Sequence, residues 1–161
     1  MSCKTSNVTT ATNSTRNNVA VSIDLVNVID DKVKVTITNP TITTETTTFN
    51  IPKIVPGTYS EDNYGRFVDN VKAFDAKGNP LKIAKMDENS YTIYDATKLA
   101  KVTYNVSDTY DTEGGAGFGE SEDIFSPAGT NIKAGENFML NTHGFVGYFE
   151  GKSEIPYTVE V

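Results

Sequence analysis

The chain has 161 residues, a length that suits one domain with one hydrophobic core. Its formal net charge of -7, from 21 acidic against 14 basic residues, repels phosphate backbones and anionic lipid surfaces, so nucleic acid is not an expected partner. The single cysteine excludes an internal disulfide, and the chain lacks the run of about 18 to 20 apolar residues that a membrane helix needs.

The N-terminal residues 1–18 are polar and rich in Thr, Asn and Ser, which predicts a disordered tether. Met1, Ser2 and Cys3 resemble the start of a bacterial lipoprotein that is cut before its acylated cysteine, with a start methionine added. In this interpretation Cys3 is the lipid attachment site and the protein is exported, either periplasmic or anchored to the outer membrane, and it contacts a membrane only through that lipid. The alternative is a cytosolic protein that has a cysteine at position 3 by chance.

Alternating apolar residues predict a series of short strands from Val19 onward. The first alternation runs from Val19 to Leu25 and the second from Val33 to Ile37. Asp30 and Asp31 lie between them and predict a hairpin turn. Further strands are predicted at 42–51, 67–74, 81–84, 90–94, 101–106, 137–140, 145–149 and 157–161.

Many short strands separated by turn signals predict an all-β fold, an antiparallel β-sandwich-like domain of two curved sheets over residues 19–161. The segment 108–126 is acidic and Gly-rich, which predicts a long loop. Residues 155–161 still alternate where the sequence stops, so we expect the native chain to continue.

A single imidazole excludes a two-histidine zinc site, and any Ser or Cys nucleophile would have to use that same histidine as its base. A thermolysin-type zinc site needs two histidines one helical turn apart, and a Ser or Cys nucleophile needs a base within hydrogen-bonding reach. His143 is the only histidine. The Gly-rich run 114–119 lacks the Lys-Ser/Thr ending of a phosphate-binding loop. The sequence therefore predicts no catalytic residue, metal site or cofactor in this chain.

Two weaker possibilities concern ligands. The aromatic residues admit a carbohydrate-binding platform, although core packing accounts for most of them. Carboxylates of the acidic segment are candidate calcium ligands, but their spacing does not match an EF-hand, and solvated loop charge is the favoured interpretation. These carboxylates belong to Asp108, Asp111, Glu113, Glu120, Glu122 and Asp123.

A set of co-linear motifs resembles the N-terminal domain of the glycyl aminopeptidase family of zinc metallopeptidases. Residues 51–59 and 64–68 resemble the family's P-x-W-x-P-G-S-Y pattern and its downstream arginine. Later blocks follow in the family's order, at 73–81, 85–91, 102–106, 140–151 and 156–159. Ile54 and Tyr91 replace the usual tryptophans and Thr58 replaces a serine, so a substrate contact through an indole is not expected.

The resemblance implies that the complete protein is a secreted zinc aminopeptidase. After this non-catalytic β-domain, a thermolysin-like domain with H-E-x-x-H and a downstream Glu would follow, often with a PDZ domain. Zinc is expected in that missing catalytic domain. This domain would be the partner of the β-domain within the same chain, and the full-length protein would act on peptide substrates. The alternative is a free-standing lipoprotein adhesin or glycan-binding module. The gene sequence beyond Val161 distinguishes the two.

The matched motifs give two sets of site residues. In the first, Pro56 and Gly57 are expected to make a tight turn that places Tyr59 and Arg66 for packing or pairing. The second set belongs to the motif at residues 140–151, which we call the late block. It approaches the join with the expected catalytic domain. Its members are the candidate cleft-rim or docking residues Asn141, His143, Gly144 and Tyr148.

Overall fold

The computed structural model describes residues 18–38, 40–57, 61–110 and 128–161. Within these ranges the chain is built almost entirely of strands, with one α-helical turn, α1 (Thr142–Phe145), and two 3-10 helices (Tyr64–Phe67 and Ala96–Lys98). The strands are β1 (Val19–Ile29), β2 (Lys32–Thr38), β3 (Thr46–Asn50), β4 (Val68–Asp75), β5 (Pro80–Leu81), β6 (Ile83–Lys85), β7 (Ser90–Tyr94), β8 (Leu99–Ser107), β9 (Asn131–Lys133), β10 (Asn137–Met139), β11 (Tyr148–Phe149) and β12 (Tyr157–Glu160).

The described strands form two main sheets and one small ribbon. The large sheet has the order β12-β1-β2-β8-β4-β5, the smaller sheet has the order β11-β3-β7-β6, and β9 pairs with β10. Neighbouring strands in these sheets are antiparallel except β1 and β12, which run parallel. The predicted all-β, predominantly antiparallel fold is confirmed.

The core lies between the inner faces of the two main sheets. Strand β2 shows why, because Val33, Val35 and Ile37 are fully buried while the alternate residue Lys34 is exposed. The sheets meet through aromatic rings. The ring of Phe49 on β3 lies 5.8 Å from that of Tyr104 on β8, measured between centroids. This face-to-face packing is that of a β-sandwich.

One end of the sandwich, which we call the loop end, carries most of the features considered below. It contains the β1–β2 turn, the 3-10 helix Tyr64–Phe67 and the segment 141–145. In the turn, Asp30 and Asp31 have φ angles of 52° and 51°, as the predicted tight hairpin requires. Because β12 runs parallel to β1, the chain at Val161 is directed toward the loop end.

Three strand predictions are corrected by the structure, and one strand was missed. The predicted strand 145–149 is two elements, because Asn141 caps the helical turn α1 before the chain extends again in β11. The predicted strand 81–84 is divided between sheets, since β5 pairs with β4 and β6 pairs with β7. Only 46–50 of the Thr-rich segment 42–51 pairs as a strand. Strand β9 was not predicted, because three residues are too few to show periodicity.

Two predictions from the sequence concern residues that lie wholly or largely outside the described ranges. The proposed tether lies outside the described residues for positions 1–17, and Cys3 with it. The acidic segment is described only at 108–110. Among the described residues, no helix is long and apolar enough to span a membrane.

Candidate functional site

Tyr64 joins the two halves of the loop end. Its side chain is 2% exposed, and its hydroxyl donates to the carbonyl oxygen of Ala128 at 3.0 Å. The Asp62 carboxylate lies 3.4 Å from the same hydroxyl. The Tyr64 ring also packs against Gly144, where an added Cβ would lie 3.2 Å from the ring. The region of the first motif and the late block are therefore packed together around one buried phenol.

Asn141 forms hydrogen bonds through both its side chain and its backbone. Its side-chain oxygen accepts from the His143 amide at 3.1 Å, which caps the start of α1. Its side-chain amide donates to the Ala128 carbonyl at 2.6 Å, and its backbone amide donates to Thr130 Oγ1 at 3.2 Å. The Ala128 carbonyl thus accepts from both Tyr64 and Asn141. Asn141 holds the late block in place, whatever else it contacts.

His143 and Tyr148 have different surroundings. His143 is exposed on α1. Tyr148 lies on β11 opposite Asn50, and Asn50 lies opposite Ser90, so these three side chains form a row on the outer face of the smaller sheet. Ser90 Oγ donates to Asn50 Oδ1 at 3.0 Å in this row. The structure brings Asn141, His143 and Gly144 together on one short segment and places Tyr148 on the outer face of the smaller sheet.

The first motif set is partly described. Gly57 has a φ of 98°, the left-handed conformation that favours glycine in a tight turn after Pro56. Arg66 is exposed, and its guanidinium carbon lies 4.8 Å from the centroid of the Phe67 ring. Tyr59 lies outside the described residues. The geometry gives Pro56, Gly57 and Arg66 surface positions in the loop end.

Asn89 is a buried polar residue whose role the sequence did not reveal. It is 2% exposed, and its side-chain oxygen accepts from the Gly65 amide at 2.9 Å while its side-chain amide donates to Asn63 at 2.8 Å. Gly65 is pressed so closely on this turn that an added Cβ would lie 2.1 Å from the Glu88 carbonyl oxygen. The only sequence signal was the turn-forming run 87–89.

Tyr104, on strand β8 of the large sheet, holds the late block through hydrogen bonds to its backbone. It is 1% exposed, its hydroxyl donates to the Phe145 carbonyl, and it accepts from the Gly147 amide at 3.2 Å. Burial raises the pKa of this phenol well above its usual range. Only glycine fits at position 147, because a Cβ there would lie 2.3 Å from Cζ of Phe49. The sequence placed Tyr104 on a strand but gave no sign of this non-local partner.

Asp108 is the one calcium candidate that the structure describes. It is buried, and its two carboxylate oxygens accept from the backbone amides of Tyr110, at 2.6 Å, and Ile132. Both oxygens are therefore engaged within the protein. Among the described residues, no group of three or more His, Cys, Asp or Glu side chains is arranged to hold a metal ion. The remaining calcium candidates lie outside the described residues.

The fold and this site define a β-sandwich domain whose end loops are locked together by buried polar side chains. The chain belongs to the Peptidase M61 N-terminal domain family, whose model matches residues 20–161. This match confirms the resemblance to the N-terminal domain of glycyl aminopeptidase-type zinc metallopeptidases, and the peptidase catalytic domain is not in this chain.

A solved structure described as an aminopeptidase N family protein, from Idiomarina loihiensis, is similar to the chain with a TM-score of 0.67 and 14% sequence identity. The similarity covers 88% of this chain and 21% of that one, so this chain spans about a fifth of that protein's length. At this identity the likeness concerns the fold. No protein with a curated description matches the sequence.

Proposed function

We propose that this chain is the non-catalytic N-terminal domain of a secreted zinc aminopeptidase, and that its loop end packs against the catalytic domain and shapes the entry of peptide substrates. Family membership supports the first part of the proposal. The similar structure supports a longer protein, since the match covers only a fifth of that chain. Zinc and the catalytic residues would lie in the partner domain.

The main support for a docking surface at the loop end is the distribution of exposed apolar side chains. Seven large hydrophobic residues are exposed among the described residues, and most of them belong to the loop end or to the strands that enter it. Ile54 is 51% exposed and follows Lys53, whose carbonyl accepts from the amides of Asp62 and Asn63. Met139 is 49% exposed and lies two residues before Asn141. Apolar side chains held at one end of a domain favour a protein interface.

Two further features favour the same end. Met86, which is 66% exposed, lies on the β6–β7 turn beside buried Asn89. Strand β12 runs in the direction of the loop end, so a domain that followed Val161 would continue toward these side chains. The exposed His143 and the half-buried Tyr148 would then lie at the edge of the interface, as the sequence predicted.

The proposal is tested in the full-length protein, for which the gene sequence beyond Val161 is first determined. Ile54→Asp and Met139→Asp introduce a charge on the proposed surface, and Thr97→Asp introduces the same charge on the exposed 3-10 helix at the opposite end. We expect each loop-end variant to weaken docking by more than about 1 kcal/mol, which is about fivefold. The assays are limited proteolysis of the domain junction and kcat/KM for a peptide substrate.

Thr97→Asp should leave both assays unchanged. Loop-end variants that behave like Thr97→Asp would contradict the docking surface. His143→Ala and Tyr148→Ala with unchanged peptidase kinetics would remove these two residues from the cleft rim. A continuing gene sequence without H-E-x-x-H would contradict the assignment to a peptidase.

The proposal also includes export with a lipid on Cys3, which rests on the start of the sequence alone. A native N-terminus that extends upstream of Cys3 without modification, found by mass spectrometry, would contradict it.

A further inference from the structure

Three lysines share the outer face of the large sheet around its strand β8. Residues directly opposite each other on paired strands project to the same face. Lys34 on β2 lies opposite Asn105, and Lys72 on β4 lies opposite Thr103. Lys101 lies opposite Phe74 and belongs to the same face, because residues 101, 103 and 105 are each two apart. Their neighbours Val102 and Val106 are buried in the core, so the lysines point outward.

Among the described residues, none of these three lysines forms a salt bridge. The salt bridges within the described part of the chain join Lys32 to Asp69, Lys98 to Asp95 and Lys133 to Glu136, and none includes Lys34, Lys72 or Lys101. Asp24 and Asp69 also face this side of the sheet.

Both of these carboxylates are engaged elsewhere on the face. Asp69 accepts from Lys32 at 2.6 Å and from Asn105 at 3.0 Å. Asp24 accepts from Asn27 and two backbone amides, and it lies close enough to Lys34 for that charge to help lower its pKa. Lys32 lies on this face as well, so four lysines stand against three carboxylates, those of Asp24, Asp69 and, on the edge strand β12, Glu160. The face therefore carries a small positive charge, although the chain as a whole carries a charge of -7.

The lysines line a shallow groove of about 190 Å³. Its other walls include Asn70, Thr103 and Asn105, which supply hydrogen-bonding groups, and Phe74. The Lys101 ammonium lies 5.5 Å from the centroid of the Phe74 ring, which holds one end of the lysine against an aromatic surface. The groove therefore combines positive charge with amide and hydroxyl donors.

The spacing of the lysines selects the ligand. Lys72 and Lys101 are diagonal neighbours on paired strands, about 7–8 Å apart at the backbone. In an extended peptide, alternate side chains lie on one face about 7 Å apart. We propose that this lysine groove binds an extended acidic peptide segment, whose alternate carboxylates pair with Lys72 and Lys101 while Lys34 and Asn105 bind a further acidic or polar group.

The test is fluorescence anisotropy with a labelled hexaglutamate peptide and the 161-residue chain at low ionic strength. We expect saturable binding that weakens as salt is added. Because exposed ion pairs contribute modestly, Lys72→Gln and Lys101→Gln should each weaken binding about two- to fivefold, and the double variant roughly 4- to 25-fold. Lys53→Gln, which removes an exposed lysine from the loop 51–57, is the matched control and should not change the affinity.

Hexaglutamine of equal length should not bind, which separates charge from peptide length. All three lysines of the groove are exposed, so melting temperatures should stay unchanged and confirm that the variants fold. Absence of saturable hexaglutamate binding, or an equal loss in Lys53→Gln, would overturn the proposal. Tighter binding of a sulfated oligosaccharide or of phosphatidylserine vesicles, with the same lysine dependence, would overturn the assignment of the ligand as a peptide.

Discussion

Tyr104→Phe removes one hydroxyl group from the centre of the fold. That hydroxyl donates to the Phe145 carbonyl and accepts from the Gly147 amide, and the side chain is 1% exposed. The variant would leave a buried carbonyl and a buried N–H without partners, each at a cost of about 1–3 kcal/mol. We expect a total loss of about 2–4 kcal/mol in the free energy of unfolding, since some relaxation is possible around Gly147.

The assay is thermal unfolding, with hydrogen exchange of the Gly147 amide as a local measurement. For a domain of this size each kcal/mol lowers the melting temperature by about 2–4 °C, so the expected decrease is about 5–15 °C. Tyr91→Phe is the control, because Tyr91 is also buried and its hydroxyl makes no hydrogen bond with the described residues. Equal decreases for the two variants, with unchanged Gly147 exchange, would refute the anchoring role of Tyr104.

Two further predictions concern stability. Gly65→Ala should lower the free energy of unfolding by at least about 1–3 kcal/mol, because the new Cβ would meet backbone atoms of Glu88 and Asn89; a melting temperature within about 2 °C of the wild type would contradict this close contact. Burial raises the pKa of Tyr104 above its unfolded value of about 10. The neutral phenol therefore contributes fully to folding stability below about pH 10. As the pH rises further, the free energy of unfolding falls by up to about 1.4 kcal/mol per pH unit. Urea unfolding between pH 9 and pH 11 should show this decrease, with a smaller slope in Tyr104→Phe, and equal slopes would contradict it.

The strands that could be predicted from sequence are those with local periodicity. β2 alternates over its whole length, and β7 was predicted with the bounds that the structure gives. Prediction failed where a short segment changes partner or conformation. Residues 81–84 look uniform in sequence, yet β5 and β6 belong to different sheets. The late block was assigned to a strand because the capping of α1 by Asn141 competes with an apolar pattern that favours extension.

The candidate site was predictable only in outline. The sequence indicated that Asn141, His143 and Gly144 form a unit, and the structure places them on one capped turn. It did not indicate that Ala128 accepts hydrogen bonds from both Tyr64 and Asn141, because those partners are separated by 64 and 13 residues. Such contacts depend on topology, and no local pattern encodes them. The three-lysine groove was missed for the same reason, since its lysines come from three strands.

The buried polar contacts of the loop end bear on the proposed docking. Binding by a flexible surface loses conformational freedom in the loops that it orders, at about 0.5–1.5 kcal/mol for each immobilised side chain. Here the hydrogen bond between Asn89 and the Gly65 amide fixes the turn beside Met86, and the Tyr64 amide donates to the Pro52 carbonyl near Ile54. Asn141 fixes the segment that follows Met139. The exposed apolar side chains are thus attached to backbone that is ordered before a partner arrives. A loop end built in this way favours a preformed docking surface over one that orders on binding.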